Sequence, residues 1–496
     1  MDTLISIHQA TVKVLDKVAF KGLDFEWSTG QHWAILGENG ADQQLFLDLI
    51  LGRALVVEGN VQRPFADPYQ QDMIAKGLVN SFRDLMAEVS QRYVFKNKSN
   101  LQNFYFQQRF NSLESDDALA VGEYLKELET RSGFWTVDGV IKLLKLEDLI
   151  DKSLIKLSNG ETRRLAIAGA LLKNPLILLM HQPLTGLDKE TREIFDVILQ
   201  EIIRSGIHVM ISTQAQEIPA SFTHIAQISN GQLVVKQKHQ VDINSDTKSA
   251  ELNTILLKSL LAKFPIPSFE NLVSIHQASV RYEERVLLDQ VSWTVKRGEY
   301  WALKGHNGAG KSTLLSLILG EHPQAYANDI WLFDRKRGTG ESIWDIKKNI
   351  GFVAPELSRY FPANQTCLKV VLSGLFDTMG LFKKVSSEQE KLGWDWLSLF
   401  GLEQVAHILI QRVTPEQQRF VLLARALIKN PALLVLDEAA QGLDMGSRKR
   451  FRKTVDEVCK LYGCGLIYVS HYEEDIPYCV TNTLKLSKGK IVAVES

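Results

Sequence analysis

Five residues recur letter for letter in this chain, as Ser6-Ile7-His8-Gln9-Ala10 and again as Ser274-Ile275-His276-Gln277-Ala278. The same spacing carries Trp33-Ala34-Ile35-Leu36-Gly37-Glu38-Asn39-Gly40 onto Trp301-Ala302-Leu303-Lys304-Gly305-His306-Asn307-Gly308, each after a turn at Gly30 or Gly298. Lys173-Asn174-Pro175 matches Lys429-Asn430-Pro431 at a spacing 12 residues shorter. A repeat on this scale requires two copies of one domain of about 230 residues. Strand-like runs alternate with amphipathic stretches in each copy, which predicts an α/β layered domain. A helix-rich middle, about 355–412 in the second copy, interrupts it. The expected domains are residues 1–237 and 271–496. Residues 238–270 read as a linker that opens polar, carries a short helical stretch (Leu252 to Lys263) and ends in Pro265-Ile266-Pro267.

Composition narrows the function. Lys plus Arg number 57 and Asp plus Glu 58, which excludes a generally polybasic nucleic-acid binder, so no direct nucleic-acid partner is expected. The longest apolar runs, such as Pro175 to Met180 and Ala432 to Leu436, are far shorter than the ~20 residues that span a bilayer. Met1-Asp2-Thr3 leads straight into a strand-like pattern, and no secretory signal is expected. Cys367, Cys459, Cys464 and Cys479 form no CxxC pair, which points to buried thiols in a reducing cytoplasm instead of a disulfide framework or zinc site.

The second copy carries the chemistry. Gly305-His306-Asn307-Gly308-Ala309-Gly310-Lys311-Ser312 fits G-x-x-x-x-G-K-[ST], after the strand Tyr300 to Lys304 and before an apolar helix opening at Thr313. The glycines let backbone N–H groups turn toward a phosphate. Lys311 would place its ammonium on phosphate oxygens, and Ser312 would offer a hydroxyl to Mg²⁺. Leu433-Leu434-Val435-Leu436 then ends in Asp437-Glu438. Asp437 is the expected Mg²⁺ partner and Glu438 the general base that polarises an attacking water.

These motifs, in this order, resemble the ATPase domain of ABC proteins. The resemblance implies two P-loop ABC ATPase domains of α/β class, each a mixed sheet core with a helical subdomain, hydrolysing ATP with Mg²⁺. It makes Gly442-Leu443-Asp444 the D-loop, His471 the switch histidine and Tyr282 the aromatic residue that stacks on adenine. The implied catalytic residues are Lys311, Asp437, Glu438 and His471. The implied nucleotide-binding set is Tyr282, Gly305, Asn307, Gly308, Ala309, Gly310, Lys311, Ser312 and Thr313.

The first copy departs from the family at these positions. Its loop reads Gly37-Glu38-Asn39-Gly40-Ala41-Asp42-Gln43-Gln44, with Gln43 for the lysine and Gln44 for the hydroxyl. Asp42 replaces the last glycine, and two unit charges ~4 Å apart repel by about 4 kcal/mol at an effective dielectric of 20. His181-Gln182 replace the Asp-Glu pair, Val14 the adenine aromatic and Thr213 the switch histidine. Leu157-Ser158-Asn159-Gly160-Glu161 stays close to the family's L-S-G-G-Q signature, whereas the second copy has Val413-Thr414-Pro415-Glu416-Gln417. Pro415 removes a backbone donor, and Glu416 would set a negative charge toward the phosphates. ABC domains pair head to tail, so one composite site is expected, with the second phosphate loop facing Ser158 and Gly160.

The segment from Ser312 to Gly351 is similar to a soluble tandem branch of the family, associated by name with molybdate transport and photorepair; no residue here shows a molybdate site. The leading expectation is a cytoplasmic ATPase of that branch. Alternatives are the ATP-binding subunit of a transporter with a separate permease, peripheral at the inner membrane, and an ABC-F-like translation factor. The family's Q-loop glutamine, which couples to a permease, aligns with Pro355 in the second copy and Ser81 in the first, which counts against the transporter. The near-neutral linker counts against the translation factor.

Overall fold

In the computed structural model the chain divides into two compact units at Ser245/Asp246. The structure describes residues 2–14, 17–37, 40–90, 119–128, 130–154, 157, 159–184, 189–229, 231–236, 252–264, 268–282, 285–306, 308–443, 445–470 and 472–495.

The first unit contains β1 (Thr3–Val14), β2 (Lys17–Ser28), β3 (Trp33–Gly37), β4 (Leu55–Gln62), β5 (Met86–Val89), β6 (Ile177–His181), β7 (His208–Ser212), β8 (His224–Ser229) and β9 (Gln232–Lys236). One sheet runs β2-β1-β4, antiparallel, and the other β5-β6-β7-β3-β8-β9, parallel except for β9. The second unit repeats this plan. Its strands are β10 (Asn271–Tyr282), β11 (Arg285–Lys296), β12 (Tyr300–Lys304), β13 (Asp329–Leu332), β14 (Arg335–Lys336), β15 (Ile350–Val353), β16 (Leu433–Asp437), β17 (Gly465–Val469), β18 (Asn482–Ser487) and β19 (Lys490–Glu495). They form the sheets β11-β10-β13-β14 and β15-β16-β17-β12-β18-β19.

The unbroken apolar runs of β6 and β16 follow from this layering. Leu433 and Val435 enter one core while Leu434 and Leu436 enter the core on the opposite face, and Ile177/Leu179 and Leu178/Met180 divide likewise. A parallel strand covered on both faces needs apolar residues at every position.

The repeated pentapeptide has a local cause. Gln9 and Gln277 adopt φ of 48° and 49°, and the ladder slips beside each, between Ile7 and Ala10 and between Ile275 and Ala278. Both copies keep the same bulge, which redirects the strand. Lys-Asn-Pro recurs for a similar reason. Asn174 and Asn430 sit at φ of 46° and 51°, a region that Asn tolerates. The Asn174 amide donates to the carbonyls of Arg131 (2.7 Å) and Trp135 (3.0 Å). That of Asn430 donates to Leu261 (2.6 Å) and Phe264 (2.7 Å).

Those last two carbonyls lie in the segment read as linker. Its helix, Thr254–Leu261, is capped by the Asn253 side chain, which accepts from Leu256 N at 3.0 Å. It buries Leu257, Leu260 and Leu261 in the core of the second unit, against the helices Ser387–Leu399 and Met445–Tyr462. Among the described residues no helix is long and apolar enough to cross a membrane.

Candidate functional site

In the second unit β16, β17 and β12 are adjacent and parallel. Their carboxyl ends therefore present Asp437, the residues after Val469 and the loop after Lys304 along one edge, where open α/β sheets bind ligands. Between Lys304 and the helix Lys311–Ile318, Gly308 and Gly310 adopt φ of 79° and 104°. A Cβ on Gly310 would come within 2.8 Å of the Leu287 carbonyl oxygen and 2.9 Å of Leu288 Cδ2, so only glycine fits. A loop so turned forms a concave set of N–H groups suited to an anion.

Lys311 opens the helix and is buried. Its Nζ donates to the carbonyls of Gly305 (2.7 Å) and His306 (3.1 Å), so the ammonium lies across the loop it would share with a phosphate. Burial lowers its pKa from the ordinary ammonium value, and the charges of Glu438 and Asp437 oppose that shift. Both carboxylates therefore act electrostatically on the loop. Asp437 closes β16. Glu438 follows at φ 49°, a strained conformation for a non-glycine residue, and its N–H donates to the Val469 carbonyl at 2.9 Å. The Ser312 hydroxyl and Asp437 carboxylate are oxygen donors that fit a hard divalent cation.

The first unit keeps the frame and loses the loop. Its helix runs Gly40–Ile50, so Gly40 and Asp42, the counterparts of Gly308 and Gly310, are wound into it. Asp42 carries the Cβ that the left-handed turn excludes, and the chain takes the helical alternative. Gln43, at the lysine position, is buried, and its Nε2 donates to the carbonyls of Ile35 (3.1 Å) and Thr213 (3.0 Å). Gln182 retains the left-handed turn of Glu438 (φ 44°), with its N–H on the Ser212 carbonyl at 3.0 Å. His181 Nδ1 lies 2.5 Å from Ser212 Oγ.

The ABC transporter family matches residues 20–185 and 288–441. The chain belongs to that family. It is 31% identical over 491 residues to the ABC transporter ATP-binding protein ModF of Escherichia coli, covering 97% of this chain and 96% of ModF. It is 29% identical over 486 residues to an uncharacterized ABC transporter ATP-binding protein of Schizosaccharomyces pombe, covering 95% and 96%. Among solved structures, cbiO1 from Clostridium perfringens aligns with a TM-score of 0.40 at 23% identity, over 46% of this chain and 88% of that one. Both domains are thus ABC ATPase domains, and the chain is a ModF-like ATP hydrolase.

Sheet register corrects two family positions. Met86 pairs with Ile177 as Ile350 pairs with Leu433, so Ser90 corresponds to Ala354 and the next residue, Gln91, to Pro355. The first copy therefore carries glutamine at the Q-loop position, and Ser81, the side chain that caps the turn Phe82–Leu85, is not that residue. In both units an arginine of the helix that opens at the signature (Asn159–Leu171 or Pro415–Leu427) reaches this segment: Arg163 donates to the Ser90 carbonyl at 2.6 Å and Arg419 to the Pro355 carbonyl at 3.3 Å. Likewise His181 pairs with Ser212 as Asp437 pairs with Val469, which places Thr213 opposite Ser470 instead of His471. The loop up to the next helical turn (Ala215–Glu217 or Glu473–Asp475) is one residue shorter in the first unit.

The second copy's altered signature is a well-formed helix start. Thr414 and Gln417 make a capping box: Gln417 N donates to Thr414 Oγ1 at 3.2 Å and Thr414 N to Gln417 Oε1 at 3.0 Å. Pro415 occupies the first helical turn, where the missing N–H costs nothing. Glu416 pairs with Arg450 Nη1 at 3.0 Å, so its charge is not left uncompensated for a phosphate as the sequence implied. Of the signature in the first unit, Gly160 is buried in the opening turn of the helix Asn159–Leu171. Ser158, Asn307, Gln91, Asp444 and His471 lie outside the described residues, as does the side chain of Tyr282, whose backbone ends β10 where Val14 ends β1.

Proposed function

We propose that this chain hydrolyses ATP at a single composite site, in which the phosphate loop of the second domain meets the signature of the first. The contrast that carries this reading is between Gly308 and Gly310, held left-handed before Lys311, and Gly40 and Asp42, wound into a helix before Gln43. Lys311 and the loop N–H groups would bind the phosphates, with Gly305, Asn307, Ala309 and Thr313 shaping the cradle and Tyr282 under the base. Ser312 and Asp437 would hold Mg²⁺, which when bound neutralises charge on the transferring phosphoryl group. Glu438 would orient water and accept its proton, and His471 would steady the γ-phosphate end. Ser158 and Gly160, arriving head to tail within the chain, would close the site.

Calorimetry of the full chain with a slowly hydrolysed ATP analogue and Mg²⁺ tests the asymmetry. One tight site per chain is expected, and two would overturn it. Gln91 favours a second reading, that the first domain engages a membrane permease and the chain powers transport. Affinity capture with Glu438→Gln in ATP distinguishes the two, because recovery of a permease selects the transporter. The name ModF links that relative to molybdenum, and we carry this over only as a candidate cargo for the permease assay.

A further inference from the structure

In the first unit the amino ends of β5, β6 and β7 lie at the opposite end of the parallel sheet from the loop that follows β3. The two units treat this end differently. In the second, Asn430 seats the carbonyls of Leu261 and Phe264 there, and Ala432, just before β16, is 2% exposed. In the first, Asn174 seats the loop from Arg131 to Trp135 instead, and Leu176, the counterpart of Ala432, is 42% exposed. Between that loop and the helix Asp67–Ala75 lies an open cavity of about 410 Å³, a volume typical of small-molecule sites.

Its walls are aromatic and fixed. Phe65, Tyr69, Phe134 and Trp135 line it. Trp135 Nε1 donates to Ser205 Oγ at 3.0 Å, and Trp135 N to Asn174 Oδ1 at 2.8 Å. The Tyr69 hydroxyl donates to Asp84 Oδ2 at 3.2 Å. Phe134 meets Trp135 edge to face, with ring centres 5.0 Å apart, yet stays 70% exposed. The cavity also holds a cation. The Arg131 guanidinium lies 5.1 Å from the centre of the Tyr69 ring, and among the described residues no carboxylate pairs with it. A guanidinium stacked on a ring keeps its fork of N–H donors for a carboxylate, and the aromatic walls favour a flat ring.

We propose that this cavity binds a small aromatic carboxylate, with the ring against the aromatic walls and the carboxylate on Arg131. The walls are held before the ligand arrives, which lowers the ordering cost of binding. The site belongs to the first unit and stands apart from the ATP reading, so its test uses no nucleotide.

The test is calorimetry of the full chain with indole-3-acetate, with uncharged indole-3-acetamide, and with cyclohexylacetate, which keeps the charge and lacks the aromatic ring. The acid should occupy one saturable site with a Kd of about 1 mM or tighter. Each analogue should bind about tenfold more weakly or worse. Arg131→Gln should bring the acid down to the affinity of the amide, and Phe134→Ala should weaken both indoles. Both side chains are exposed, so neither change should lower the melting temperature. No saturable binding of the acid, equal binding of acid and amide, or unchanged binding in Arg131→Gln would each overturn the proposal.

Discussion

Gln43 and Lys311 occupy the same position after the same strand, yet they face different partners. Lys311 reaches forward over its loop to the carbonyls of Gly305 and His306. Gln43 turns back onto the strand ends, donating to Ile35 and Thr213. Behind this lies the backbone: Gly310 allows a left-handed loop that Asp42 replaces with helix. The first copy has lost the cradle as well as the charge. A neutral amide then suits the buried place that an unpaired ammonium could occupy only at the cost of several kcal/mol.

The largest predicted effects fall on the second copy alone. Lys311→Ala and Glu438→Gln should each lower ATP hydrolysis by roughly 10²-fold or more, Glu438→Gln while retaining ATP. Gln43→Ala should leave the rate unchanged in the same phosphate-release assay. It should instead cost about 1–3 kcal/mol in denaturant titration, because the Thr213 carbonyl loses the amide donor and the Ile35 carbonyl keeps only the Thr213 N–H. A strong rate loss in Gln43→Ala would break the asymmetry.

The backbone argument is tested next. Gly310→Ala must seat a Cβ beside the Leu287 carbonyl at φ 104°, and should weaken ATP binding by about tenfold or more, which is about 1.4 kcal/mol. Asp42→Gly alone should recover no second nucleotide in calorimetry, since Gln43 still lacks a charge. Smaller in reach is the pair Asn174→Ala and Asn430→Ala. Each strips donors from two carbonyls and should cost about 1–3 kcal/mol, with Asn430→Ala also freeing the helix Thr254–Leu261 to limited proteolysis.

The repeat, the phosphate loop and the Asp437-Glu438 end of β16 were legible because each is contiguous in sequence and set by its own chemistry. Positions that depend on where a gap falls were not. The copies differ in length between their matched blocks, so Ser81 took the place of Gln91 until the β5–β6 ladder fixed the register. A single missing residue after β7 misplaced Thr213. Nor does sequence reveal that Glu416 finds Arg450, 34 residues on. The helix over Gly40–Asp42 was hidden because Gly37 and Gly40 survive, although the backbone that used them does not.

The subtlest difference between the copies lies at the amino ends of their central strands. His32, beside β3, has a pKa of about 4, lowered first by burial and then by the charges of His208 and His224. Tyr300 takes the corresponding place before Trp301 in β12. A histidine whose folded pKa lies below its unfolded value of about 6.5 favours the folded state only while neutral. The unfolded chain therefore binds more protons between pH 6.5 and 4, and stability should be full above that window and fall as pH drops through it. His32 Nδ1 accepts from Val209 N at 3.2 Å, and the Gln side chain in His32→Gln can supply an uncharged acceptor there. Melting temperatures measured across pH 4 to 7 should show a shallower decline in His32→Gln than in the parent. Equal slopes would shift the acid sensitivity to groups shared by both copies.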